Sequence, residues 1–313
     1  MSPPIRIALI GMGKIAHDQH LPAIANDPAF ELVATVSRHG GTLDALPFFD
    51  SIEALAASDV VVDAVALCTP PQVRRALAAS AIDRGWHVFL EKPPAATLAE
   101  ATALRTRAAA QGVSLFASWH SRHAAGVEPA RAWLAERTLR DATITWAEDV
   151  RHWHPGQDWI FEPGGFGVFD PAINALSIAT RIFPHPLFVE SAEIEIPANR
   201  AAAIAANVLF RDEFGCAIDA RFDFLQTGHQ RWDIAARTDR GTMTLAEGGG
   251  TLAFDGATAA AQDDELATEY PALYRRFAEL VRDGASEVDL TPLQLVADIH
   301  LKARIRIVDP FDW

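Results

Sequence analysis

The chain has 313 residues, half of them hydrophobic, and a formal charge of −14. That length and apolar content allow a large core and more than one domain, while the acidic balance and the lack of a basic patch argue against nucleic acid as a partner. Met1–Pro4 leave no room for a signal peptide before the first apolar run, and no apolar run approaches bilayer-spanning length, so a cytoplasmic protein with no membrane partner is expected.

The first element in chain order is an apolar strand over Ile5–Ile10, which runs directly into Gly11-Met12-Gly13-Lys14-Ile15-Ala16. In a G-x-G-x-x-A turn the first glycine allows the tight bend and the second lets the backbone approach a pyrophosphate. A small third residue packs the following helix on the strand, with its N-terminal amides facing the phosphates. Gly11, Met12, Gly13, Lys14 and Ile15 are therefore candidate dinucleotide-binding residues. A second strand is expected over Phe30–Val36, ending where such folds place their ribose-reading residue. The chain reads Ser37-Arg38-His39 there, with no carboxylate. Ser37 can hydrogen-bond a ribose substituent and Arg38 offers a fork suited to a 2′-phosphate, so NADP is the expected cofactor, with NAD also accepted. The competing reading of Arg38 is an ordinary solvated loop residue.

Further strands are expected over Val60–Cys68, His87–Leu90 and Val113–Ala117, separated by helices over Pro71–Arg84 and Leu98–Gln111. This alternation predicts a doubly wound parallel sheet, a Rossmann domain over residues 1–122. Cys68-Thr69-Pro70 and Glu91-Lys92 then lie at carboxyl ends of strands, in the crevice where these sheets bind ligands. Lys92 is singled out because only three of the 27 lysines and arginines are lysine: Lys14, Lys92 and Lys302. A compact ammonium placed between an apolar strand and two prolines points to site chemistry rather than to a chance surface lysine. The two cysteines, Cys68 and Cys216, show no paired spacing and are expected as small hydrophobes.

Beyond residue 122 the rhythm changes. Runs over Asp141–Asp149, Phe188–Ile196, Ala201–Phe210, Cys216–Leu225, Gln230–Ala236 and Gly241–Leu245 lack intervening helices, and helices are expected over Tyr270–Val281 and Pro292–Val308. Residues 123–313 thus read as an α+β domain with a large, mostly antiparallel open sheet, serving substrate binding and homo-oligomer formation. Within it, the segment Gly164–Asn174 holds three glycines and then Asp170-Pro171-Ala172-Ile173-Asn174. Proline favours a first helical turn, and residues four apart share a helix face, so the Asp170 carboxylate and the Asn174 amide can reach one polar substrate. The plainer reading makes Asp170 an N-cap and Asn174 a surface residue.

Gly11–Ala16, Glu91-Lys92-Pro93 and the glycine-rich segment ending in Asp170 together resemble the Gfo/Idh/MocA family of nicotinamide-dependent oxidoreductases over essentially the whole chain. Most members carry histidine where this sequence has Asn174, and that histidine is taken as the proton-transferring group. Asp-Pro-x-x-Asn is similar to the aldose branch. The resemblance implies oxidation of an aldopyranose such as L-arabinose, D-galactose or D-fucose at C1, giving an aldonolactone, with hydride passing to the nicotinamide. An amide cannot accept a proton at neutral pH. Asp170 is then the candidate base, Lys92 stabilises charge developing on the reacting oxygen, and Asn174 orients that oxygen.

The resemblance also implies sugar contacts by His120 beside Trp119, Glu148, Trp153, His154 and Trp232, in addition to Lys92, Asp170 and Asn174. Indole faces suit apolar sugar surfaces, and imidazole and carboxylate bond hydroxyls. His120, His123, His152 and His154 raise a zinc reading, but the acidic and cysteine ligands expected at catalytic spacing are missing, so no metal is expected. Two alternatives stay open. One is oxidation of another polyol or sugar derivative, such as an inositol or a sugar acid paired by Arg122 or Arg151. The other is a non-catalytic regulator that binds nucleotide and sugar. A short-chain dehydrogenase is disfavoured because neither Tyr270 nor Tyr274 stands in a Tyr-x-x-x-Lys pairing.

Overall fold

The structure, a computed structural model, describes residues 3–38, 40, 43, 46–260 and 266–313. His39 of the loop after the second strand lies outside the described residues. The chain forms two compact units, one made of Met1–Trp119 and Glu269–Asp289 and the other of His120–Thr268 and Leu290–Trp313.

In the first unit the described residues form a six-stranded sheet: β1 (Ile5–Ile10), β2 (Phe30–Val36), β3 (Phe48–Phe49), β4 (Ala64–Leu67), β5 (His87–Leu90) and β6 (Leu115–Ala117), in the order β3-β2-β1-β4-β5-β6. Every pairing is parallel. Parallel strands are covered on both faces, which is why β1 and β4 are nearly continuous apolar runs with Leu9, Val65 and Leu67 fully buried. The strand expected over Val60–Cys68 pairs only over Ala64–Leu67. At its entry the Asp63 carboxylate takes the Arg6 backbone N–H (2.9 Å) and the Arg6 guanidinium (2.8 and 2.6 Å). The flanking helices Pro71–Asp83 and Leu98–Gln111 match their sequence signals: Pro71 opens one, Thr97 Oγ1 caps the other at the Glu100 N–H, and Gly112 (φ 68°) closes it.

In the second unit the described residues form a nine-stranded sheet: β7 (Leu139–Ala147), β8 (Leu187–Pro197), β9 (Ala205–Asp212), β10 (Ala217–Asp223), β11 (Arg231–Thr238), β12 (Gly241–Ala246), β13 (Thr251–Phe254), β14 (Ala257–Ala260) and β15 (Ala303–Val308). The order is β14-β13-β12-β11-β7-β10-β9-β8-β15, antiparallel except for β7 with β10 and β8 with β15. One face buries Ile144, Val208, Phe210, Ile218, Phe222 and Ile234, and the alternate positions carry Thr143, Thr145, Asn207, Asp219 and Arg221. The helices Phe169–Ile182 and Thr291–Lys302 pack on each other, and the second also lies against β8.

Two parts of this unit differ from the sequence reading. The helix expected over Pro292–Val308 ends at Lys302, and Ala303–Val308 is a strand paired with β8, Ile305 opposite Ile194. Its Ala-Arg-Ile-Arg-Ile-Val alternation has the period of a strand, and β8 offers an open edge to complete. The hairpin of β13 and β14 went unread despite the Asp255-Gly256 turn, whose positive φ values (47° and 81°) suit a tight hairpin. In the first unit, the short β3 is not among the strands expected from the sequence.

Candidate active site

The carboxyl ends of β2, β1, β4 and β5 are neighbours in the first sheet, and each carries one of the expected cofactor segments: Ser37-Arg38, Gly11–Ile15, Cys68-Thr69-Pro70 and Glu91-Lys92. Gly11 has φ 96°, and its N–H donates to Val36 O (2.8 Å). A Cβ there would lie 2.8 Å from Thr69 Cγ2 and 3.0 Å from the Cys68 carbonyl carbon, so only glycine lets β1 and β4 finish this close together. A Cβ on Gly13 would meet nothing within 4 Å, which leaves open space where a pyrophosphate approaches such a turn. Ala16 is fully buried, as its packing role requires, and the helix that starts at Lys14 is π-helical over Ala16–His20 before becoming α-helical over Leu21–Ala25. Thr69 Oγ1 is buried without a hydrogen-bond partner among the described residues, a polar atom in position for a ligand. These features fit a dinucleotide. Lys14, among the candidates, forms an exposed ion pair with Asp18, and Arg38 is exposed after β2.

Beside this edge lies a buried polar network that the sequence reading missed. Glu91 Oε1 accepts from the Tyr270 hydroxyl (2.7 Å) and faces His20 Nε2 (3.0 Å), while His20 Nδ1 meets the Tyr274 hydroxyl at 2.7 Å. Glu91 Oε2 accepts the backbone N–H of Lys92 at 2.9 Å. Burial opposes a charge on His20, yet the neighbouring Cys68 sulfur and the Glu91 carboxylate raise its pKa to about 10, so the imidazole is cationic at neutral pH. Burial, with the Glu91 charge, pushes both tyrosines well above their ordinary value. Arg74, 2% exposed, donates from its guanidinium to the backbone carbonyls of Thr69, Glu91 and Pro93. One signal for this network was present: the chain has two tyrosines, and they stand four apart in one helical pattern.

In the second unit, Asp170 lies in the first turn of the helix Phe169–Ile182, and Asn174 follows one turn later on the same face. Val168, not Asp170, holds the cap position, and Asp170 is only 4% exposed. The glycines before it bring backbone against backbone: a Cβ on Gly167 would lie 2.2 Å from Ala203 O, and one on Gly165 2.3 Å from Trp159 O. They set the helix start by donating Gly167 N–H to Ile160 O and letting Val168 N–H reach Ala203 O.

Glu148, at the end of β7, and His154, after the short helix Val150–Trp153, converge on that start. His154 Nε2 is 3.7 Å from Glu148 Oε1 and 3.9 Å from Asp170 Oδ2. The Trp232 indole donates to Glu148 Oε2 at 2.8 Å and meets the Trp153 ring edge-on at 5.5 Å. Trp153 is 44% exposed, and its N–H is held by Gln230. The second unit therefore brings together Glu148, Trp153, His154, Asp170 and Trp232: two buried carboxylates, an imidazole and an aromatic wall, which are the groups that grip a polyhydroxylated ring. His120 stands in the helical turn His120–His123, which packs on the Asp170 helix. Arg122 donates to Ser177 O and Thr180 Oγ1, and Arg151 pairs with Asp149. Among the described residues no group of three or more His, Cys, Asp or Glu side chains is arranged to hold a metal ion, and no helix is long and apolar enough to cross a membrane.

Residues 5–118 match the model of the oxidoreductase family with the NAD-binding Rossmann fold, GFO_IDH_MocA. The chain is 46% identical over 295 residues to galactose 1-dehydrogenase of Pseudomonas fluorescens, covering 94% of each protein. It superposes on the crystal structure of D-galactose-1-dehydrogenase from Rhizobium etli with a TM-score of 0.94 and 51% identity, covering 100% of this chain and 99% of that one. The 3-ketoreductase KijD10 of Actinomadura kijaniata, solved with NADP, shares the fold at 20% identity (TM-score 0.83, 97% and 99% covered). With its NAD(P)-binding Rossmann sheet and mixed, mostly antiparallel second sheet, the chain belongs to the Gfo/Idh/MocA family of oxidoreductases.

Proposed function

We propose that this protein is an NAD(P)-dependent sugar 1-dehydrogenase that oxidises D-galactose, with L-arabinose and D-fucose as related substrates, to the aldonolactone. The observation that carries this reading is the 46–51% identity, over nearly the whole length, to two galactose 1-dehydrogenases. Residues 1–122 would hold the dinucleotide and residues 123–313 the substrate groups and the contacts for self-association. A cytoplasmic location belongs to the same proposal, since the reaction draws on the nicotinamide pool.

The bound nicotinamide supplies the hydride acceptor for C1. Asp170 takes the proton of the anomeric hydroxyl as a general base, a role its burial on a rigid helix start supports. Lys92 stabilises the negative charge that develops on the same oxygen, and Asn174 donates a hydrogen bond that orients it. Glu148, fixed by Trp232, accepts from sugar hydroxyls together with His154 and His120, while the exposed Trp153 ring covers an apolar sugar face. In the first unit Gly11, Met12, Gly13, Lys14 and Ile15 line the pyrophosphate, Cys68, Thr69, Pro70 and Glu91 the nicotinamide side, and Ser37 and Arg38 the ribose. With no carboxylate after β2, NADP binds at least as well as NAD. A sugar acid is the weaker alternative, because Arg122 and Arg151 have protein partners.

The test is reduction of NADP and NAD by the purified protein with D-galactose, L-arabinose, D-fucose, D-xylose, D-glucose and myo-inositol. D-Galactose and L-arabinose, which share configuration from C2 to C4, should lead. Turnover confined to myo-inositol would replace the aldose reading by the polyol one. Sugar binding without turnover would replace it by a non-catalytic regulator.

A further inference from the structure

His20 is fully buried, and both of its ring nitrogens are engaged, Nδ1 by the Tyr274 hydroxyl at 2.7 Å and Nε2 by Glu91 Oε1 at 3.0 Å. The proposed chemistry uses neither His20 nor Tyr274. A buried ion pair is a poor source of stability, since apolar side chains of the same volume would serve as well or better, so its value lies in fixing geometry. What it fixes here can be followed atom by atom. Glu91 is 4% exposed and divides its oxygens: Oε1 is held by His20 and by the Tyr270 hydroxyl (2.7 Å), and Oε2 accepts the Lys92 backbone N–H (2.9 Å). On the other side of the turn, Arg74 grips the carbonyls of Glu91, Pro93 and Thr69. The backbone on either side of Lys92 is thereby tied at both its N–H and its carbonyls to buried cations or to a carboxylate they neutralise.

We propose that His20 is a positioning residue for Lys92: its imidazole locks the Glu91 carboxylate in the orientation that anchors the Lys92 backbone, and by balancing that carboxylate's charge it keeps Glu91 from capturing the Lys92 ammonium. This deepens the proposed function and rests on the role given there to Lys92. Tyr270 and Tyr274 serve the same end without charge, one holding Glu91 and the other holding His20.

The experiment combines a double-mutant cycle with lysine labelling. His20→Gln should lower kcat for D-galactose by about a hundredfold, the penalty for a misplaced reacting group, while the affinity for NADP measured by fluorescence changes little. Added to Lys92→Ala, the same substitution should lower kcat by no more than about twofold, because residues acting as one unit are not additive. Tyr274→Phe should give a smaller loss with the same dependence on Lys92, and it decides the matter if His20→Gln fails to fold.

Because the only lysines are Lys14, Lys92 and Lys302, acetic anhydride labelling of the cofactor-free protein, read by mass spectrometry, reports on Lys92 without any turnover. Labelling of Lys92 relative to the exposed Lys14 should fall in His20→Gln, since an unbalanced Glu91 holds the ammonium protonated. Losses that simply add in the cycle, with Lys92 labelling unchanged, would overturn the proposal. Normal turnover by Lys92→Ala alone would instead remove the catalytic role of Lys92, leaving the labelling to judge His20.

Discussion

The backbone around Lys92 is held by buried side chains: Glu91 Oε2 accepts its N–H, and Arg74 donates to the carbonyls of Glu91 and Pro93. Scarcity, a proline and fixed glycine spacing are visible in one dimension, and they single out Lys92, Asp170 and the Gly11–Ala16 turn as candidates. The contacts of His20, Arg74 and the two tyrosines span 5 to 254 residues, and most lie beyond the reach of any local pattern. Three expectations follow at this scale. Asp170→Asn keeps the shape and removes the base, so kcat should fall by about a thousandfold, within the usual worth of general base catalysis, with NADP affinity kept; near-normal turnover would take the base role from Asp170. Arg38→Ala should weaken NADP binding far more than NAD binding in a titration, and equal losses would contradict a 2′-phosphate contact.

The third expectation concerns pH. His20 has its folded-state pKa raised from 6.5 to about 10, against burial, by Cys68 and Glu91. A raised pKa stabilises the folded state fully below the unfolded value and loses that contribution as pH climbs through the folded value. Tyr270 and Tyr274, which face the same cluster, titrate still higher and stay neutral through that window. The melting temperature should therefore fall as pH rises from about 6.5 to 10, and His20→Gln should flatten that decline. An identical slope in the variant would assign the effect to other groups.

At the scale of elements, alternation and capping signals located most strands and helices, and the misreadings have physical causes. The apolar spacing over Pro292–Val308 continues a helix pattern into Ala303–Val308, and the open edge of β8 decides there for a strand. The Gly164–Asn174 segment shows the opposite limit. Its glycines permit close backbone approach, and what approaches is the chain's own backbone at Ala203 and Trp159. Gly167 has φ 53°, and a Cβ there would lie 2.2 Å from Ala203 O. Gly167→Ala should therefore cost about 3 kcal/mol, the upper range for strained backbone, and should also displace Asp170. Denaturant unfolding measures the first and kcat for D-galactose the second; an unchanged midpoint with full activity would mean the segment yields freely.

For the whole molecule, length and the change of rhythm near residue 122 foretold two kinds of sheet, and both formed. What sequence could not show is that 269–289 returns to the first unit, because a helix records the period of its own apolar face and not the partner it packs on. The same return supplies Tyr270 and Tyr274 to the network around Glu91. Relatives of this fold include a 3-ketoreductase as well as galactose 1-dehydrogenases, so the carbon that gives up hydride is the property on which the functional account turns. The most direct measurement uses D-galactose deuterated at C1 with NADP. The account predicts that the label appears in the reduced nicotinamide and that the sugar product is the aldonolactone. Reduced nicotinamide free of deuterium, with a ketone at C3 of the sugar, would contradict it.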